Sequence, residues 1–147
     1  MIIFSEKLDS RKKEKMSVRK VVHPPGMAKP AGVFSSAIVV KQPSRLMFLS
    51  GMTARDETGN VVCVGDIRGQ TKLICEKLRV LVEAEGGSLK DIVSVTVFVL
   101  NVDHFSEIHE VRRQYFPSEP PASTMVEVSR LVDERMLIEI NAIAALP

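Results

Sequence analysis

The stretch Pro121-Ala122-Ser123-Thr124-Met125-Val126-Glu127-Val128-Ser129-Arg130-Leu131, with Ile138-Glu139-Ile140-Asn141-Ala142-Ile143-Ala144 close behind it, decides how the chain is read. Thr124 to Val128 and Met136 to Ala144 are rich in β-branched and apolar residues and predict two strands. A charged turn, Asp133-Glu134-Arg135, separates them. In the second strand Ile138, Ile140 and Ala142 face one way, while Glu139 and Asn141 face the other. One face is thus apolar, and the opposite face carries a carboxylate and an amide.

Toward the N-terminus, Pro117 to Pro121 forms a breaker-rich loop. Before it, Phe105, Ile108, Val111 and Tyr115 recur at helical spacing, with Asp103 as the expected cap. Ile92 to Leu100 is a β-branched run without polar alternation, which suits a central strand covered on both faces. Residues 66–85 read as a helix: Asp66 caps it, and Ile67, Leu73, Ile74, Leu78, Leu81 and Val82 share one face. Gly86-Gly87 supplies its stop. Phe34 to Val40 and Leu46 to Ser50 flank the turn Lys41 to Arg45, a hairpin signal. Residues 21–33 hold the breakers His23-Pro24-Pro25-Gly26 and Lys29-Pro30-Ala31-Gly32 and are expected to be irregular.

The order β-β-α-β-α-β-β points to one α/β (α+β) domain over residues 21–147. An antiparallel-rich mixed sheet would carry both helices on one face. The other face then needs a cover, and in a chain of 147 residues self-association is the simplest one.

The bulk numbers narrow the function classes. Apolar residues make up 45% and charged residues 26% of the chain, a globular balance. No apolar run approaches a membrane span and the N-terminus does not look secretory, so a cytoplasmic location is expected. Residues 1–20 hold seven basic and three acidic residues. That net +4, against +2 for the whole chain, leaves −2 on the remainder. The segment reads as a basic, solvated extension, with Met16 a second candidate start, and nucleic acid is not an expected partner. Cys63 and Cys75 match no redox or zinc spacing, and Cys75 reads as a core residue. With three histidines (His23, His104, His109) and no Cys/His/Asp cluster, neither a metal site nor a cofactor is expected.

Five segments resemble, in order and spacing, the Rid/YjgF (reactive intermediate deaminase) family. The C-terminal stretches quoted above are similar to its P-x-R-[ST]-x-V-x-V-x-x-L and I-E-I-E-A-I-A signatures. Gly32-Val33-Phe34-Ser35-Ser36-Ala37 resembles G-P-Y-S-x-A, Phe48-Leu49-Ser50-Gly51 resembles a strand ending in S-G, and Asp66 to Thr71 resembles the Q-T-bearing helix start. The resemblance spans residues 22 to 146 and implies a chorismate-mutase-like fold, a homotrimeric barrel and small-molecule clefts between subunits. It also implies a deaminase, a hydrolase acting on enamines and imines.

Carried over residue by residue, the water-holding glutamate is Glu139, whose plainer alternative is a surface carboxylate. The cleft-wall glycine is Gly51, equally readable as a strand-ending glycine. Three positions depart from the pattern. Ser123 stands where the family has an arginine that grips a substrate carboxylate, Phe34 replaces a tyrosine, and His109 replaces an asparagine. Ser123, Thr124, Phe34, Gly51 and Asn141 are the expected substrate-binding residues, and Glu139 and His109 the expected catalytic ones. His109 reads either as an acid/base near neutral pH or as an exposed helix histidine. Arg112, Arg113 and Arg135 could replace the lost charge, though solvated faces suit them as well. Without the arginine, 2-aminomuconate-like or other substrates fit better than simple 2-imino acids. A non-catalytic metabolite-binding trimer is the alternative, and ribonuclease or translation-inhibitor behaviour a third reading.

Overall fold

The computed structural model describes residues 19–147. Residues 1–18, and with them most of the basic extension, lie outside the described residues. The elements are β1 (Arg19–Val22), β2 (Ala37–Val40), β3 (Arg45–Met52), α1 (Ile67–Ala84), β4 (Ile92–Val99), α2 (Phe105–Tyr115), β5 (Ala122–Glu127) and β6 (Ile138–Leu146). Strands β3-β6-β4-β5 form one mixed sheet in that order, antiparallel except for the β4–β5 pair. Strands β1 and β2 form a separate antiparallel pair.

Alternation explains which face is covered. Ile138, Ile140, Ala142, Ala144 and Leu146 of β6 are buried, as are Val95, Val97 and Val99 of β4. They pack with Ile67, Ile74, Leu78 and Val82 of α1 and Ile108 of α2 in a single core. Burying a side chain of this size stabilises by roughly 1.5–3 kcal/mol, so the apolar stripe of each helix fixes its docking. Asp66 caps α1 as expected, its carboxylate accepting the Gly69 N–H at 2.9 Å. Leu73 and Leu81 are only half-buried, and Gln70, Thr71 and Cys75 are buried instead. Strand β4 is central, but Ser94, Thr96 and Phe98 on its second face are only half-buried. The unbroken apolar run therefore overstated its cover within one chain.

Three expectations need correction. The hairpin between residues 34–40 and 46–50 does not form: β2 pairs with β1 and β3 with β6. Gln42 takes a left-handed backbone (φ 44) next to Pro43, turning the chain away, and Leu49 reaches the core beside Ala142. Strand β1 also falls on residues expected to be tail or irregular chain. Its Arg19 side chain donates to the carbonyls of Lys90 (2.5 Å) and Glu119 (2.6 Å), which ties the strand to the body. Finally, Asp103 does not cap α2. The chain enters that helix through a 3-10 turn at Val102–His104, so the capping oxygen is needed earlier, and Asn101 supplies it to the Asp103 N–H at 2.9 Å.

Candidate functional site

The sheet face turned away from the helices carries two rows of side chains across strands. Glu139 lies opposite Phe98, and Phe98 opposite Val126. One step along, Asn141 lies opposite Thr96, and Thr96 opposite Thr124. Phe48 pairs with Ile143 on the same face and is 73% exposed. Leu46 and Val126 are exposed there too. An apolar, uncovered sheet face of this kind marks a surface that another molecule covers.

Glu139 is seated by backbone contact. Its carboxylate rests directly on Gly51, where an added Cβ would lie 2.7 Å from the Glu139 Cδ and closer still to Oε1. Only a glycine leaves that room, which gives Gly51 a role beyond ending a strand. Glu139 also lines a cavity of about 640 Å³ with Phe98, Val128, Arg130, Leu131 and Val132. Val132, on its rim, is 90% exposed. The Asn141 Oδ1 is buried without a hydrogen-bond partner among the described residues, an unmet acceptor on the same face.

The strand presenting Glu139 is held at its entry by Gln70. This fully buried amide donates to the Arg135 carbonyl (2.8 Å) and accepts the Leu137 N–H (2.8 Å). Thr71 closes its hydroxyl on the Ile67 carbonyl at 2.7 Å. Sequence reasoning saw this Gln-Thr pair only as part of a resemblance; the buried contacts show Gln70 positioning the turn before Glu139, while Thr71 bonds within its own helix.

A second group gathers at the β5 edge. Ser35 bridges Ala122 in parallel, its N–H donating to the Pro121 carbonyl at 3.0 Å and its hydroxyl to the Pro120 carbonyl. Phe34, the preceding residue, is half-buried. His109 is buried (4% exposed), and its Nδ1 accepts the Val33 N–H at 2.8 Å. A Cβ on Gly32 would stand 2.6 Å from the His109 ring, so Gly32 is what lets the ring approach the loop. His109 is therefore not an exposed helix histidine. Burial, then the charges of Arg112 and Arg113, pushes its pKa down to about 4. With Nδ1 occupied as an acceptor, the neutral ring presents Nε2–H as a fixed donor, and an acid/base couple near neutral pH does not fit this setting. His104 lies elsewhere, paired with Glu107 at 2.9 Å. Ser123 pairs with Val95, a core residue, so its side chain is on the helix-covered face, whereas Thr124 is on the open one.

Within one chain the two groups stay apart. Gly51 is on β3 and Ser123 on β5, the two edges of a four-stranded sheet, roughly 14 Å apart at the usual strand spacing. The arginines also divide. Arg113 is exposed and Arg135 pairs with Asp133 at 2.7 Å, as solvated-face residues do. Arg112, by contrast, is buried. Arg130 is the cation that shares the Glu139 cavity. Sequence reasoning missed it because it lies past the end of β5, where no periodicity fixes direction. Among the described residues no His/Cys/Asp/Glu group could hold a metal, and no helix is long and apolar enough to cross a membrane. Cys75 is buried in the core as expected, and burial pushes its thiol up to about 12.

Comparison with known proteins places the chain among relatives of one family. A family model described as Endoribonuclease L-PSP matches residues 26–146. A RutC family protein from Pyrococcus horikoshii is 35% identical over 127 residues, covering 86% of this chain and 98% of the relative. One from Pyrococcus abyssi is 39% identical over 127 residues, covering 86% and 96%. Among solved structures, a Rid family protein of unknown function from Yersinia pestis superposes with a TM-score of 0.80 at 26% identity, covering 88% of this chain and 99% of the other. A member of the YjgF/YER057c/UK114 family from Mycobacterium tuberculosis gives 0.61 at 28% identity, covering 76% and 86%.

Proposed function

The chain belongs to the Rid/YjgF family, whose model is described as Endoribonuclease L-PSP, and has its chorismate-mutase-like fold; from that premise we propose that it hydrolyses a small enamine or imine metabolite in clefts between the subunits of a homotrimer. The observation that carries this reading is the Glu139 carboxylate, fixed against Gly51 at the wall of the cavity on the open sheet face. A carboxylate held by contact rather than paired with a cation is free to take a proton from water.

In the proposed reaction Glu139 accepts a proton as water adds to the C=N carbon. Glu139 returns that proton to the nitrogen, giving the carbinolamine. The carbinolamine hydroxyl then passes its own proton, again by way of Glu139, to the departing nitrogen, so that ammonia leaves and the C=O bond of the carbonyl product forms. The apolar open face supports association, which would bring the Phe34, His109 and Ser123 edge of one subunit toward the Glu139 wall of another. There His109 offers a fixed Nε2–H, while Thr124 and the unmet Asn141 acceptor orient substrate from the Glu139 side. A metabolite without an α-carboxylate, or with it farther from the C=N bond, suits a cleft in which Ser123 replaces the gripping arginine. That arginine would contribute roughly 1.5–3 kcal/mol through charge-assisted bonds.

The described body does not favour RNA. Residues beyond the basic segment carry a net −2 by the charge count above, and phosphate binding needs clustered cations. The Ser123 and Phe34 departures favour one alternative, a trimer that binds a metabolite without turning it over.

The test supplies 2-iminobutyrate and less acidic imines, generated in place by an amine or amino-acid oxidase, and follows carbonyl and ammonia release. Turnover of a less acidic imine should fall about 100-fold or more in Glu139→Gln, with the fold unchanged by circular dichroism. Equal rates with and without the carboxylate would sink the catalytic reading. Metabolite binding that weakens in Glu139→Gln, with no turnover in either protein, would establish the binding-only trimer.

A further inference from the structure

Arg112 occupies a position where an isolated charge is costly. The side chain is 1% exposed, and both terminal guanidinium nitrogens are buried without a hydrogen-bond partner among the described residues. It lies on α2, which packs along α1. The ionisable groups coupled to it electrostatically are Cys75 on α1 and His109 one turn earlier on α2. Neither supplies a negative charge. Burial pushes the Cys75 thiol up to about 12 and His109 down to about 4, so both are neutral at pH 7. Arg112 itself is pushed down to about 10, again by burial, and stays protonated. No carboxylate pairs with it among the described residues, although Glu76, Glu83, Glu107 and Glu110 on the same two helices all find other cations.

Buried charges in folded proteins are paired or neutralised, because removing an ion from water without compensation is strongly unfavourable. A guanidinium is the side chain least able to neutralise itself, and its planar fork matches two oxygens of one carboxylate. We infer that Arg112 is the receptor for a small bound oxyanion of the carboxylate class, held at the α1–α2 packing by paired N–H···O bonds from its terminal nitrogens. The site is distinct from the Glu139 cavity, and the inference does not rest on the catalytic reading. A position this enclosed admits only a small anion, which selects formate and acetate as probes.

The experiment measures thermal unfolding of the full chain at constant ionic strength as formate, acetate, nitrate or phosphate replaces a bulky sulfonate buffer ion. In the wild type, formate or acetate should raise the midpoint saturably. At 100 times the dissociation constant, the unfolding equilibrium constant should fall about 100-fold. Arg112→Met removes the charge but keeps the apolar stem; it should show no saturable response, with an anion-free midpoint equal to or above the wild type's. Should that variant fail to fold, the 15N resonances of the Arg112 guanidinium in the wild type should still shift saturably with formate. Equal anion responses in both proteins, or resonances that formate leaves unmoved, would overturn the inference. Nitrate and phosphate acting as strongly as formate would overturn the carboxylate class. A change in subunit number in Arg112→Met without an anion response would overturn it too, since the guanidinium would then be met by a second copy of the chain.

Discussion

At position 109 a histidine ring secures a loop. Nδ1 accepts the Val33 N–H, and the ring fills space that only Gly32 leaves open. Its protonation therefore opposes folding. The unfolded chain takes up the proton near pH 6.5, whereas the folded chain, with its pKa pushed down to about 4, takes it up later. The stabilising contribution is fully present above pH 6.5 and is lost as the pH falls toward 4. Between pH 7 and pH 5 the wild type should lose ~1–2 kcal/mol more stability than His109→Gln, which has no such titration. Denaturant titrations of the two proteins at both pH values check this; parallel losses would mean that the ring is not held neutral by the fold. From the sequence His109 read as an acid/base or as an exposed helix histidine, and nothing local showed that it would be buried. The partner that buries it lies 76 residues earlier, and helical periodicity carries no information about such a contact. The same limit applied to Arg112, which is buried although its sequence neighbour Arg113 is exposed.

Among the elements, α1 was legible from its cap to its stop because every local signal agreed. Asp66, the apolar stripe and Gly86-Gly87 all argue the same helix. Less legible was what its polar residues do. Gln70 looks like a defect in an apolar face, yet its two bonds to the 135–137 turn set the approach of β6 and with it the placement of Glu139. Gln70→Leu keeps the volume but leaves the Leu137 N–H and the Arg135 carbonyl without these partners. It should cost about 2–4 kcal/mol by the usual penalty for buried polar groups left unpaired, measured by chemical denaturation. A stability unchanged within about 0.5 kcal/mol would remove Gln70 from the positioning role. The strands were legible as elements and partly misread as pairs. Adjacency in sequence suggested β2 with β3, but pairing is decided by which strand completes a buried face, and for β3 that strand is β6.

For the whole molecule, the separation of the candidate residues is the main constraint. The sequence resemblance placed Gly51, Glu139, Phe34, His109 and Ser123 in one cleft, whereas a single chain holds them as two groups, Gly51 and Glu139 on the neighbouring strands β3 and β6 and the others toward the β5 edge. The apolar open face offers the means of joining them between copies. Phe48→Lys puts a charge on the β3 side of that face, where Phe48 is the most exposed apolar side chain, and leaves Glu139 in place. It should convert the proposed trimer to a monomer in analytical ultracentrifugation and abolish turnover, with the monomer's helical circular dichroism retained. Full activity from a monomer would show that the Glu139 wall is sufficient alone.

The sheet order β3-β6-β4-β5 has a consequence for how the molecule is made. The last strand of the chain is an interior strand of the sheet, flanked by β3 and β4. Until β6 has left the ribosome, β3 has no partner within the sheet, and β4 can pair only with β5. The four-stranded sheet must therefore wait until β6 has been made, and the nascent chain carries its apolar sheet residues unprotected until then. Loss of β6 would leave β3 alone and β4 with β5, two disconnected fragments of a sheet instead of a shortened one.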